Sequence, residues 1–152
     1  MSAPNPRPPP LASFELDGYR LDVAHYLNAD YSDVSVASAE LPAVNEWINE
    51  KLQAYVEMLH ITRAELAEAE ATAYFTLRKG AFADDYGGKQ TEESLKHAVA
   101  LDPEVKKLVR SEAVLSAWCG RLRGVQSSLS MKLDLVRSSE ATRRKVFDET
   151  SS

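Results

Sequence analysis

From Pro42 to Gly80 the apolar positions return every seven residues: Leu52, Leu59, Leu66 and Ala73, with Tyr55, Thr62, Ala69 and Thr76 beside them. No Gly or Pro interrupts the stretch between its two ends. This spacing draws a narrow seam along one helix, of the coiled-coil type. Pro42 suits a first turn, where its missing N–H would have had no partner, and Ser38 is the predicted N-cap. Gly80 suits the end, because it takes the left-handed conformation without a Cβ clash. Such a helix spans about 57 Å. It cannot cover its seam against itself, so it needs a second long helix or a second subunit.

A matching seam lies downstream. Leu108, Leu115, Leu122, Leu129 and Val136 repeat at seven, and Ser111, Trp118, Val125 and Lys132 fall three residues on as a second row. Asp102-Pro103 reads as a cap followed by Pro at the first helical position. The helix is predicted from Pro103 to Arg137, extending as far as Phe147. Gly120 and Gly124 interrupt it at a cost of about 1 kcal/mol each. They either admit a close neighbour or bend the helix. Thr91 is the predicted cap of a shorter helix, TEESLKHAVAL, whose Glu92 and Glu93 suit the positive end of the dipole. Upstream, Tyr19 to Asn28 shows a short helical pattern, and Tyr31 to Val36 reads as an extended run without a sheet to join. The prediction is an all-α fold: a long antiparallel helical hairpin with short N-terminal and connecting helices. Trp47 and Trp118 are expected to anchor its packed ends. Residues 1–13 hold five of the seven prolines and read as a disordered tail. Residues 14–147 read as one helical domain and 148–152 as a second tail. GAFADDYGGKQ, residues 80–90, reads as a loop.

Composition narrows the class. Of 152 residues 44% are hydrophobic, and only 6 are Gly. The single cysteine, Cys119, excludes an internal disulfide and fits a reducing compartment. No apolar run approaches the roughly 20 residues of a membrane span, and the N-terminus lacks a signal-peptide pattern. A cytoplasmic protein is expected, in the host-cell cytoplasm if phage-encoded. The net charge of −5 hides a gradient: Phe14 to Thr72 holds 12 acidic and 3 basic residues, Pro103 to Asp148 5 acidic and 10 basic. Either the acidic part of one subunit meets the basic part of another, or the basic part meets phosphate.

Catalytic chemistry finds little support. His25, His60 and His97 lie far apart, and none has a His or Cys at ligand spacing. Cys119 beside Trp118 reads as a small core residue. Asp84 and Asp85 share a loop that offers no pair of distinct, fixed environments. GAFADDYGGK lacks the P-loop order. No enzyme activity and no cofactor or metal is expected. The cations say more. Arg78 and Lys79 close the long helix, where the dipole alone stabilises them by roughly 0.3–1 kcal/mol. Tyr74 and Phe75 precede them, and Phe82, Tyr86 and Lys89 follow. Rings that stack on bases, interleaved with cations that follow phosphates, suit a single strand. Arg121, Arg123, Lys132, Arg137, Arg143, Arg144 and Lys145 form a second basic group, read as a solvated face or a subunit contact.

The order of these features, LDVAHYLNAD, then EWINEKL, FTLRKG, DDYGGK, TEESLKHAV and DPEV before a final long helix, resembles the small phage recombination-mediator proteins of the UvsY type. The resemblance covers residues 19–147. It implies a ring-forming homo-oligomer that binds single-stranded DNA and helps load a RecA-like recombinase onto strands covered by single-strand-binding protein. The family's Leu-Lys-Ala-Arg-Leu segment, implicated in DNA binding, matches Phe75 to Lys79: Arg78 falls on its arginine, Thr76 replaces its lysine, and Lys79 supplies a charge nearby. The alternative is a helical oligomeric scaffold or adaptor that binds only protein.

Overall fold

The computed structural model describes residues 14–16, 18–79 and 91–150. These contain two strands, β1 (Phe14–Leu16) and β2 (Tyr19–Leu21), and four helices: α1 (Val23–Asn28), α2 (Val34–Lys79), α3 (Glu92–Leu101) and α4 (Pro103–Thr150). The described protein is all-α apart from one antiparallel strand pair, in which Phe14 faces Leu21 and Leu16 faces Tyr19. Gly18, at φ 77°, makes the turn between them. Tyr19–Leu21 is therefore extended, not helical, and a small sheet exists where none was expected. Asp22 sets the break: its carboxylate accepts from the His25 N–H at 3.2 Å, and the helix begins at Val23.

The start of α2 also differs from the sequence expectation. Asp33, not Ser38, ends the preceding turn. Its Oδ1 accepts from the Ser35 N–H at 2.8 Å and the Ser35 hydroxyl at 2.6 Å, and its carbonyl accepts from the Ala37 N–H at 3.3 Å. Val34 to Val36 is helical, so that run is not extended. Ser38 lies inside the helix, and Pro42 is an interior residue. An interior Pro costs about 3 kcal/mol. The early start recovers it by covering Ala37 and Leu41, both 0% exposed, since a buried Leu contributes about 1.5–3 kcal/mol. The other two caps match the sequence. Thr91 and Ser94 form a capping box, and Asp102 Oδ1 accepts from the Glu104 and Val105 N–H groups at 2.9 and 3.2 Å. No Gly or Pro follows Gly124 to stop α4, which runs to Thr150, past Phe147.

The chain divides into two compact units. One joins the residues up to Glu50 with those from Leu122. Its core is Val23, Ala37, Leu41, Ile48, Leu122, Val125, Leu129 and Val136, all buried. Asn45 Nδ2 donates to Ser130 Oγ at 3.4 Å, Gln126 Nε2 donates to Asn49 Oδ1 at 3.3 Å, and Arg143 Nη2 donates to the Ser32 carbonyl at 3.4 Å. Partner numbers on α4 fall as those upstream rise, so the segments pair in antiparallel order. Trp47 is half-buried, with Tyr19 edge-on at 6.4 Å between ring centroids.

The other unit is Lys51–Arg121. Leu52, Leu59, Thr62 and Ala73 on α2 are buried and Leu66 is half-buried; Leu108 is buried and Leu115 half-buried on α4. Tyr55 meets Trp118 at 5.9 Å between centroids, and Arg63 Nε donates to Glu112 Oε1 at 2.7 Å, again in antiparallel order. Trp118 is half-buried. Along α4 the predicted second row holds in part: Val125 is buried and Trp118 and Lys132 are half-buried, and only its first member departs. Ser111 is exposed, while Val105 and Cys119 are 2% and 1% exposed. A further row that the sequence reading passed over runs Val105, Glu112, Cys119, Gln126, Leu133 and Glu140, every member buried or half-buried. Its polar members hid it. Gly120 and Gly124 are exposed, and among the described residues a Cβ at either would meet nothing within 4 Å, so no close approach among those residues explains them.

Candidate nucleic-acid interface

The last two turns of α2 carry no acidic residue from Ala71 to Lys79. Tyr74 and Arg78, four residues apart, share a face. The Arg78 guanidinium lies 5.9 Å from the Tyr74 ring centroid, and its Nη1 donates to the Tyr74 hydroxyl at 3.4 Å. That hydroxyl in turn donates to the Glu92 carboxylate, at 3.0 and 3.3 Å. The Thr91–Ser94 box holds Glu92 in position: Thr91 Oγ1 accepts from the Ser94 N–H at 3.1 Å, and Ser94 Oγ accepts from the Thr91 N–H at 3.1 Å.

Tyr74 is half-buried and packs on the core of Ala73, Val99 and Val105. With its ring beside Arg78 and its hydroxyl on Glu92, it is a bridge and not an open stacking surface. Phe75 differs. It is 57% exposed, and its ring lies at 81° to that of Tyr74 with 5.8 Å between centroids. Arg78 and Lys79 are exposed. Tyr86 and Lys89 lie outside the described residues.

The same core brings in two cations that the sequence reading passed over. A groove of about 600 Å³ is lined by Ala71, Tyr74, Lys96, Val99, Lys106 and their neighbours. Lys96 comes from α3 and Lys106 from α4, and both are exposed. Only their spacing from Leu95, Val99 and Val105, the buried positions of those helices, could have marked them. Glu70 also lines this groove. The arrangement offers cations for an anion and one exposed ring, Phe75, for a planar group.

The second basic group is largely occupied. Arg143 Nη2 and Arg144 Nε donate to Glu140 at 2.8 and 3.1 Å, and these arginines hold its carboxyl below the usual range. Lys132 sits over the Tyr31 ring at 5.8 Å and Arg121 over the Trp118 ring at 5.6 Å. The His25 ring lies edge-on to Tyr26, and Cys119 is a buried core residue. Among the described residues no group of three or more His, Cys, Asp or Glu could hold a metal ion, and no helix is long and apolar enough to cross a membrane.

Fold and site together define a class: a predominantly helical protein with two long heptad-patterned helices and a cation-and-ring cluster at one helix end. Comparison with family models, with curated proteins and with solved structures finds no match for the chain.

Proposed function

We propose that this protein is a non-enzymatic, oligomeric, single-stranded-DNA-binding protein of the recombination-mediator kind. In this reading the two long helices form one antiparallel hairpin and copies assemble into a ring. The assembly helps a RecA-like recombinase displace single-strand-binding protein. The observation that carries the reading is the Tyr74 groove, lined by Lys96 and Lys106, with Arg78 against the Tyr74 ring and Lys79 and Phe75 exposed at the same helix end. Cations follow phosphates, and an exposed ring stacks on a base by roughly 1–3 kcal/mol. A few cations per copy suffice when copies repeat them on one face, because linked sites raise avidity without new contacts.

The test is fluorescence anisotropy of a labelled oligo-dT at several salt concentrations. Affinity falls as salt rises, because each neutralised phosphate releases counterion. The pair Arg78→Ala/Lys79→Ala weakens binding and lowers the salt slope by about 0.7 for each phosphate that is no longer neutralised. Equal affinity of parent and double variant at low salt removes these residues from the site. For the mediator step, the protein should speed recombinase loading on strands coated with single-strand-binding protein; no acceleration would leave DNA binding alone.

One observation favours the scaffold reading instead. Glu92 sits against the Tyr74 hydroxyl, so a carboxylate faces the proposed anion site. A pure scaffold retains no oligonucleotide at any salt, and its assembly responds to salt.

A further inference from the structure

On one face of the unit Lys51–Arg121, apolar side chains lie open. Met58 and Ile61 on α2 are 42% and 53% exposed, and Val114 on α4 is 58% exposed. With Thr62, Arg110 and Leu115 they line a groove of about 540 Å³. Contiguous exposed apolar surface of this kind marks an interaction site. Its two banks carry opposite charge. Glu65 lies four residues from Ile61 and seven from Met58, and Glu68 lies seven from Ile61, so acids flank the α2 bank. Arg110 lies four residues from Val114 and Lys107 seven, so bases flank the α4 bank. Among the described residues Glu65, Glu68 and Arg110 have no ion pair, and Lys107 has only a 3.4 Å pair with Glu104 on its own helix.

The level of the banks is fixed by the Arg63–Glu112 pair. Two residues on from Arg63 and two back from Glu112, Glu65 and Arg110 are level. By the same antiparallel count, Ile61 is level with Val114, and Glu68 with Lys107. A two-fold axis parallel to the helices preserves levels and exchanges banks. It sets Glu65 over Arg110, Glu68 over Lys107 and Ile61 over Val114 of a second copy. A two-fold axis across the helices would set acid over acid instead.

We propose that this face is a two-fold interface between copies of the chain, with α2 of each copy over α4 of the other. The occupant is a second copy because the charge pattern complements itself under that one rotation. The two α2 helices then run in the same direction, so two sets of Arg78 and Lys79 stand at the same end. The inference rests on the homo-oligomer part of the proposed function and not on its DNA part.

The test is sedimentation equilibrium of the full chain without nucleic acid, at tens of micromolar. The expected mass is twice 16.8 kDa or an even multiple of it. Glu65→Arg and Arg110→Glu each weaken association about tenfold or more, and the double variant recovers to within about threefold of the parent. Ile61→Asp gives monomer; at 53% exposure it should keep its helical circular dichroism, and Val114→Asn serves as a second variant should it not. A monomeric or odd-numbered parent, or a double variant no better than the singles, overturns the proposal. Because no DNA is present, failure here is separable from failure of the DNA site.

Discussion

Glu92→Gln is the sharpest probe of the cation cluster. The carboxylate and the Arg78 guanidinium are bridged by the Tyr74 hydroxyl, at 3.0 and 3.4 Å. The two charges are then about 6 Å apart, and at the dielectric of water they interact by about 0.7 kcal/mol. An incoming phosphate beside Arg78 meets a repulsion of that order from Glu92. Removing the charge, while keeping an acceptor for the Tyr74 hydroxyl, should tighten oligo-dT binding about threefold at low salt. Near 0.15 M salt the Debye length of about 8 Å screens the gain to below twofold. Glu93→Gln, one residue along the same exposed turn and without the Tyr74 hydrogen bond, is the control and should gain less. The assay is anisotropy with matched oligonucleotide at two salt concentrations. Unchanged or weaker binding in Glu92→Gln would mean that phosphate does not sit at Arg78, and the scaffold reading would gain.

Two further outcomes are expected. Leu122 is 0% exposed while Leu115, one heptad earlier, is half-buried; Leu122→Ala should cost about 3 kcal/mol and Leu115→Ala about half that. Urea melts at one fixed protein concentration check this, and equal costs would refute the seam assignment. Acid should loosen the start of α2: hydrogen bonds from the Ser35 hydroxyl and N–H hold the Asp33 carboxyl below its usual range. A depressed carboxylate contributes stability above its unfolded value, about 3.9, and loses it as pH falls through the folded one. Protection of the Ala37 amide, corrected for intrinsic exchange, should therefore drop below about pH 4, and Asp33→Asn should lack that transition.

The two seams were legible because Leu recurs at seven with little else at the same spacing. Two caps were legible because cap and first-turn residue agree, as in Asp102-Pro103. The start of α2 was not, because Asp33 and Ser38 are both competent caps and local chemistry does not rank them. Burial of Ala37 and Leu41 ranks them, and that is decided by α2's surroundings and not by its own sequence. A further row of α4, from Val105 to Glu140, was missed for a related reason. Glu112, Gln126 and Glu140 look like solvent positions until their partners are known: Arg63, Asn49, and the pair Arg143 and Arg144. Polar side chains at seam positions are tolerated when each finds a partner. A periodicity count that sees only apolar letters misses them.

For the candidate site the limit lies in distance along the chain. Arg78 and Lys79 stand together at a helix end and announce themselves. Lys96 and Lys106 join them only because Ala73, Val99 and Val105 share one core, which draws α3 and α4 against the end of α2. The same packing delivers Glu92 and Glu70 to that place, so the core that assembles the cations also assembles their opponents. Whether the cluster attracts phosphate then depends on which charges a ligand can approach. Glu92 is partly engaged through the Tyr74 hydroxyl, whereas Lys79, Lys96 and Lys106 remain exposed on long stems that follow a ligand. In the proposed reading it is this asymmetry, and not the net charge of −5, that lets the cluster take an anion.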